Sequence, residues 1–165
     1  VMGVGRTFGE AFVKAQLAAG IRLPRSGKAF ISVRDGDKVN AVQVAKDLAD
    51  LGFMLLATRG TAAVLRNHGV QVHTVNKVAE GRPHIVDMIK NGEVSFIINT
   101  VESTRSAVGD SRSIRTTALS QRVTYFTTLA EAKAACAGMK HMAQLEPYRL
   151  QDLLASLSVF SAVPG

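Results

Sequence analysis

Phe53-Met54-Leu55-Leu56-Ala57-Thr58-Arg59-Gly60-Thr61 passes from a short apolar run into a polar turn holding one glycine, and Ala62, Val64 and Leu65 follow it. An apolar run of this length predicts a buried parallel strand over 53–58. The turn then opens a short helix that stops near Gly69. A strand feeding directly into a helix is half of a β-α-β unit, so the neighbouring segments decide whether the unit repeats.

It does. Ala29-Phe30-Ile31-Ser32-Val33, Val94-Ser95-Phe96-Ile97-Ile98-Asn99 and Arg122-Val123-Thr124-Tyr125-Phe126 read as further buried strands, with a weaker one at Val70-Gln71-Val72-His73. Val42, Ala45, Leu48 and Ala49 recur at helical spacing and predict a helix over 38–51, closed by Gly52. Pro83 suits the first turn of a helix carrying Ile85, Met88 and Ile89, which ends at Asn91-Gly92. Another helix is predicted from about Ser106 to Leu119, and Thr127 with Thr128 caps one holding Leu129, Ala132 and Cys136. Parallel neighbours need crossover connections, so the alternation predicts an α/β, Rossmann-like three-layer fold with a mainly parallel five-stranded sheet.

Residues 7–19 form an amphipathic helix whose apolar side includes Phe8, Ala11, Phe12 and Ala15. The reading sets residues 1–20 apart as a helix carried over from a preceding domain, takes 21–27, with Pro24 and Ser26, as a linker, and gives 28–165 to the α/β domain. Leu150, Leu153, Leu154 and Leu157 make a second helical stripe, and 161–165 are expected to fray. The Phe8/Phe12 and Leu150/Leu154 faces are candidates for self-association.

A hydrophobic content of 47% in 165 residues supports a real core. No apolar run reaches the roughly 18 residues that cross a bilayer, and Val1-Met2-Gly3-Val4-Gly5-Arg6 lacks the apolar centre of a secretory signal, so the expectation is cytoplasmic with no membrane partner. Cys136 is the single cysteine and reads as a packing residue. His68, His73, His84 and His141 show no ligand spacing, so no metal site is expected. The net charge of +7 admits anionic partners. Its basic residues are scattered singly, without an arginine-rich tract or an RNA-binding aromatic motif, and nucleic acid is not expected.

Ligands of such sheets bind beyond the carboxyl ends of the strands, at a topological switch point. Thr58-Arg59-Gly60-Thr61 stands at such a place. Amides at a helix start lack intrahelical partners and carry partial positive charge, Gly60 lets backbone approach an anion, and two hydroxyls add donors, which suits a phosphate. The same residues also make an ordinary threonine cap with a turn glycine. Ser32 and Lys38 flank the first strand-to-helix turn, Lys77 follows the weak strand, and Asn99-Thr100 end the strand at 94–99. Gathered at one sheet edge, they would surround a phosphomonoester. Lys38 on a solvated helix face and Lys77 as a loop charge are the plain alternatives.

Met2-Gly3-Val4-Gly5-Arg6-Thr7-Phe8, Ser32-Val33-Arg34-Asp35-Gly36-Asp37-Lys38, Ala57-Thr58-Arg59-Gly60-Thr61, Val75-Asn76-Lys77-Val78, Glu80-Gly81-Arg82-Pro83-His84-Ile85 and Ile97-Ile98-Asn99-Thr100 resemble, in order, the end of the carbamoyl-phosphate synthetase large-subunit family, over about residues 1–129. The resemblance implies a methylglyoxal-synthase-like allosteric domain without catalysis of its own. It implies binding of uridine monophosphate or inosine monophosphate as effector. Ser32, Lys38, Thr58, Gly60, Thr61, Lys77, Asn99 and Thr100 match its nucleotide positions, with Arg105, Ser111 and Ile114 as further contacts. For a full-length enzyme it implies a glutamine-hydrolysing ligase of arginine and pyrimidine biosynthesis that uses ATP, Mg and K, with the other large-subunit domains and a glutaminase small subunit as partners. No cofactor is expected on residues 1–165 themselves.

The chain departs from that pattern in places. Val101 replaces a hydroxyl, the spacing from Asn99-Thr100 to Asp110-Ser111 is one residue longer, and Phe126 stands where the family's ornithine site has an acidic residue, so ornithine binding is not expected. The main rival is a methylglyoxal synthase-type lyase of dihydroxyacetone phosphate, which needs a carboxylate base. Its glycine-glycine-aspartate turn reads Glu80-Gly81-Arg82 here, a cation in place of the base, although Glu102 and His84 lie near other positions of that enzyme. An inosine-monophosphate-forming cyclohydrolase would need a lysine- and histidine-bearing segment that the sequence does not supply.

Overall fold

In a computed structural model of the chain, residues 1–101 and 105–158 are described. Strands β1 (Gly27–Ser32), β2 (Phe53–Ala57), β3 (His73–Thr74), β4 (Phe96–Asn99) and β5 (Thr124–Phe126) form one sheet in the order β3-β2-β1-β4-β5. Each neighbouring pair is parallel. The helices are α1 (Phe8–Ala18), α2 (Lys38–Asp50), α3 (Arg59–Asn67), α4 (Ile85–Lys90), α5 (Arg105–Ser120), α6 (Leu129–Met139) and α7 (Leu150–Ser158).

Alternation along the strands divides the core into two layers. Ala29, Ile31, Leu55, Ala57, Phe96 and Ile98 face one side, where they meet α2, α3 and α6. Phe30, Leu56 and Ile97 face the other, against Ile85, Val86 and Ile89 of α4 and Ile114 and Ala118 of α5. The result is the three-layer α/β architecture that the sequence predicts. Gly52, at φ +87°, ends α2 as expected of a left-handed cap residue.

Some boundaries differ from the predicted ones. β3 pairs only Leu56 with His73 and Ala57 with Thr74; Val70 and Val72 are buried ahead of it, where the chain leaves α3. Thr58 leaves β2 to become the residue preceding α3, and Val33 lies past the end of β1. Pro83 sits outside α4 instead of in its first turn. The helix starts after His84, whose Nδ1 accepts the Asp87 amide at 3.4 Å while the Asp87 carboxylate accepts the His84 amide at 3.2 Å.

α1 lies along α6. The predicted apolar side of α1 is buried in part: Phe12 packs against the core, its ring 6.4 Å from that of Phe126, but Phe8 is 75% exposed, and Gly9 and Val13, which the prediction left out, are buried. Small residues explain the shift, since a Cβ on Gly9 would stand 3.0 Å from the Gly138 amide nitrogen. Segment 21–27 is pinned to the sheet, with Leu23 in the core, Thr124 Oγ1 donating to the Arg22 carbonyl at 2.8 Å and Ser95 Oγ donating to the Ser26 carbonyl at 3.1 Å. In α7, Leu150 and Leu154 are 47% and 56% exposed. Residues 161–165 lie outside the described residues. Among the described residues no helix is long and apolar enough to cross a membrane.

Candidate functional site

Chain order reverses at β1: β2 and β3 build the sheet to one side of it, β4 and β5 to the other. Ser32 and Asn99, the last residues of β1 and β4, are register partners at that point. Beyond them, at the carboxyl ends of the strands, lies a cavity of about 130 Å³. Ser32, Lys38, Thr58, Gly60, Thr61, Lys77, Asn99, Thr100, Ser111 and Ile114 all line it. The topology thus brings together residues spread over most of the chain. Arg105 opens α5, but its side chain lies outside the described residues, as do residues 102–104 and with them Glu102.

The start of α3 forms one wall. Thr58 has the extended backbone of an N-cap, yet its hydroxyl does not cap the helix. It points across the cavity floor, 3.5 Å from Ser32 Oγ and 3.3 Å from Thr61 Oγ1. The first intrahelical bond runs from the Ala62 amide to the Thr58 carbonyl at 2.8 Å, so the amides of Arg59, Gly60 and Thr61 precede the helical ladder. The first turn carries no acidic side chain. In α1 and α6, by contrast, Thr7 and Thr128 accept the amides of Glu10 and Glu131 in the usual way. α3 therefore presents uncompensated donors to the cavity, the arrangement that receives an anion.

Lys38, the first residue of α2, supplies charge. Its ammonium would be 2.9 Å from a Cβ on Gly60, so it reaches its place because position 60 has none. Asp35, on the 3-10 turn Asp35–Asp37, holds that ammonium at 2.5 Å. Lys38, through this hydrogen bond and its charge, keeps the Asp35 carboxyl below its ordinary range, and Lys77 adds to the effect at longer reach. Lys77 approaches from the far side, at the head of the turn Val78–Glu80, where its amide donates to the Glu80 carboxylate at 2.9 Å.

The opposite wall is built by β4 and α5. Thr100 ties the strand ends together: its amide donates to the Ser32 carbonyl at 3.0 Å and its Oγ1 accepts the Arg34 amide at 3.0 Å. Arg34 in turn grips Asp37 at 2.8 Å and keeps that carboxyl low, with Thr100 contributing. Asn99 is 4% exposed, and its Nδ2 donates to Tyr125 Oη at 2.9 Å and to Ser111 Oγ at 3.1 Å. Phe30, Ile85 and Ile114 give the cavity an apolar floor.

Sequence reasoning missed several of these. Arg34, Asp35 and Asp110 line the cavity, and Tyr125 supports Asn99 from below. Arg34 and Asp35 stood in a quoted motif without being assigned a role. Phe30 and Ile85 gave no separate signal, because a cavity floor and a core share one apolar pattern.

Two of the features weighed for catalysis, Arg82 and His84, lie elsewhere. Arg82 is mostly exposed and turns to Asp87, 3.7 Å away, while His84 is spent on capping α4. Neither lines the cavity. Cys136 is fully buried, and burial pushes its thiol up to about 12, which fits a packing role.

Residues 40–127 match the family model of the MGS-like domain. The chain is 58% identical over 157 residues to the carbamoyl phosphate synthase large chain of Ralstonia nicotianae, covering 95% of this chain and 14% of that one. To the corresponding large chain of Xanthomonas campestris pv. campestris it is 56% identical over 153 residues, again covering 14% of the relative. The chain thus spans about one seventh of the length of the curated relatives it matches. Among solved structures, methylglyoxal synthase from Elizabethkingia anophelis superposes with a TM-score of 0.53 at 20% identity, covering 69% of this chain and 79% of that one. At that identity the likeness is one of fold.

Proposed function

The chain belongs to the MGS-like domain family, and from that premise we propose that it is the allosteric domain at the carboxy terminus of a carbamoyl-phosphate synthase large chain, binding a nucleoside monophosphate effector. The observation that carries the reading is the convergence of the uncapped α3 start, Lys38 and Lys77 on one cavity at the switch point. Such a cavity suits the phosphate end of the ligand. The base and ribose would lie toward Ser111 and Ile114. Uridine monophosphate and inosine monophosphate are the ligands the family resemblance implies.

In the larger enzyme, the effector acts by binding two packings of the domain with different affinity, which biases catalysis elsewhere in the chain. Ammonia supply by a glutaminase subunit and the use of ATP, Mg and K belong to that whole assembly, in the arginine and pyrimidine pathways. The domain itself supports no catalysis in this reading.

A lyase reading has one observation on its side: the carboxylates of Asp35 and Asp110 line the cavity, and proton abstraction beside a carbonyl needs such a base. Against it, Lys38 holds Asp35 in its weakly basic form. Titration calorimetry with uridine and inosine monophosphates, run beside a dihydroxyacetone phosphate turnover assay, separates the two. Saturable nucleotide heat without turnover is expected, and turnover without nucleotide heat would reverse the assignment.

A further inference from the structure

Asp35 stands inside the anion cradle and holds the cation the ligand needs. Its side chain is 81% exposed while that of Lys38 is 22% exposed, so the acid of the pair sits at the mouth and the base deeper, over Gly60. They lie three residues apart in sequence, so the contact is a local one. A phosphate seated on the α3 amides would have to take the same ammonium.

Resting on the nucleotide reading above, we propose that Asp35 is an internal competitor for Lys38, which sets the affinity of the site and is released when a phosphate binds. The empty cradle then stores its lysine in a compensated state, and a ligand of greater charge displaces the carboxylate. A phosphomonoester carries about −1.5 to −2 near neutral pH, against −1 for Asp35, and it would also draw on Lys77 and the amides at the helix start. Release takes the Lys38 side chain away from the Asp35–Asp37 turn, next to the Arg34–Asp37 pair, while the Lys38 amide stays on the Asp35 carbonyl, so occupancy of the cavity changes the side-chain pairing of an exposed acid.

A double-mutant cycle on the folded chain tests this, with uridine monophosphate and inorganic phosphate as probes in calorimetry. Asp35→Asn is expected to bind both probes about two- to fivefold more tightly than the unaltered chain, in keeping with an ion pair whose acid is largely exposed. In a Lys38→Gln background, Asp35→Asn is expected to change nothing, because the contested cation is gone. Weaker or equal binding by Asp35→Asn would overturn the proposal and make Asp35 a positioning residue or a bystander. So would equal tightening in both backgrounds, which signifies general repulsion. If the Asp35 effect appears with phosphate while uridine monophosphate binds no better than phosphate, the competitor survives and the nucleotide reading falls. If neither probe binds any of the proteins, both fall together.

Discussion

Thr61 Oγ1 accepts the amide proton of Val33 at 3.4 Å, so a residue expected to touch ligand or to cap a helix also joins the start of α3 to the end of β1. Thr61 is 1% exposed. Thr61→Val keeps the shape but leaves the Val33 amide buried and unpaired, and is expected to cost about 1–3 kcal/mol of stability besides weakening ligand binding. Denaturant unfolding checks the first part and calorimetry the second.

Lys77 provides the contrast. It is exposed and pairs its backbone, not its ammonium, with Glu80. Lys77→Ala is expected to weaken uridine monophosphate binding about tenfold, the loss typical of a charge-assisted hydrogen bond, with an unchanged unfolding midpoint. A falling midpoint would show that Lys77 holds the fold and does not serve the cavity.

The difference between these two residues marks how far the sequence could be read. Strand, turn and helix around residues 53–69 were legible because apolar periodicity and the Thr-Arg-Gly-Thr turn are local signals. The gathering of Ser32, Lys38, Thr58, Lys77 and Asn99 followed from the rule that parallel strands end on one side. Double roles were not legible: Thr61 as a structural acceptor, Asp35 as the partner of Lys38 and Tyr125 beneath Asn99 depend on side-chain directions that spacing does not fix. The buried side of α1 was legible only at Phe12, for the same kind of reason, since Gly9 gives no hydrophobic signal and acts by what it lets approach.

Gly138 is the other half of that contact. A Cβ there would collide with Val13 and with the Gly9 carbonyl, both on α1. Gly138→Ala is expected to destabilise the chain by about 1–3 kcal/mol through overpacking, although alanine is the better helix former. A melting temperature equal to that of the unaltered chain would mean that α1 is only loosely docked.

Glu10 predicts an acid response. Lys14, ion-paired at 2.8 Å, holds its carboxyl down to about 2 from 4.5, helped by the Arg6 amide and Tyr148. Tyr148 lies under the Lys14 ammonium, 4.0 Å from ring centre, so this cluster fastens the segment before α7 to α1. A carboxyl lowered on folding stabilises above its unfolded pKa, and that contribution is lost as pH falls from about 4.5 toward 2. The melting temperature of Glu10→Gln should therefore lie below that of the unaltered chain at neutral pH and converge with it over that window. A gap that persists at the acid end would assign the effect to packing.

In the proposed function, the α3 start and the strand ends at Ser32 and Asn99 receive the phosphate of a nucleotide. Backbone amide chemical shifts of the labelled chain, followed during titration with uridine monophosphate, test it residue by residue. The account predicts the largest shifts at Gly60, Thr61 and Thr100, saturating together, with His73 and Lys140 unmoved. Shifts confined to other surfaces, or none at saturating nucleotide, would contradict it.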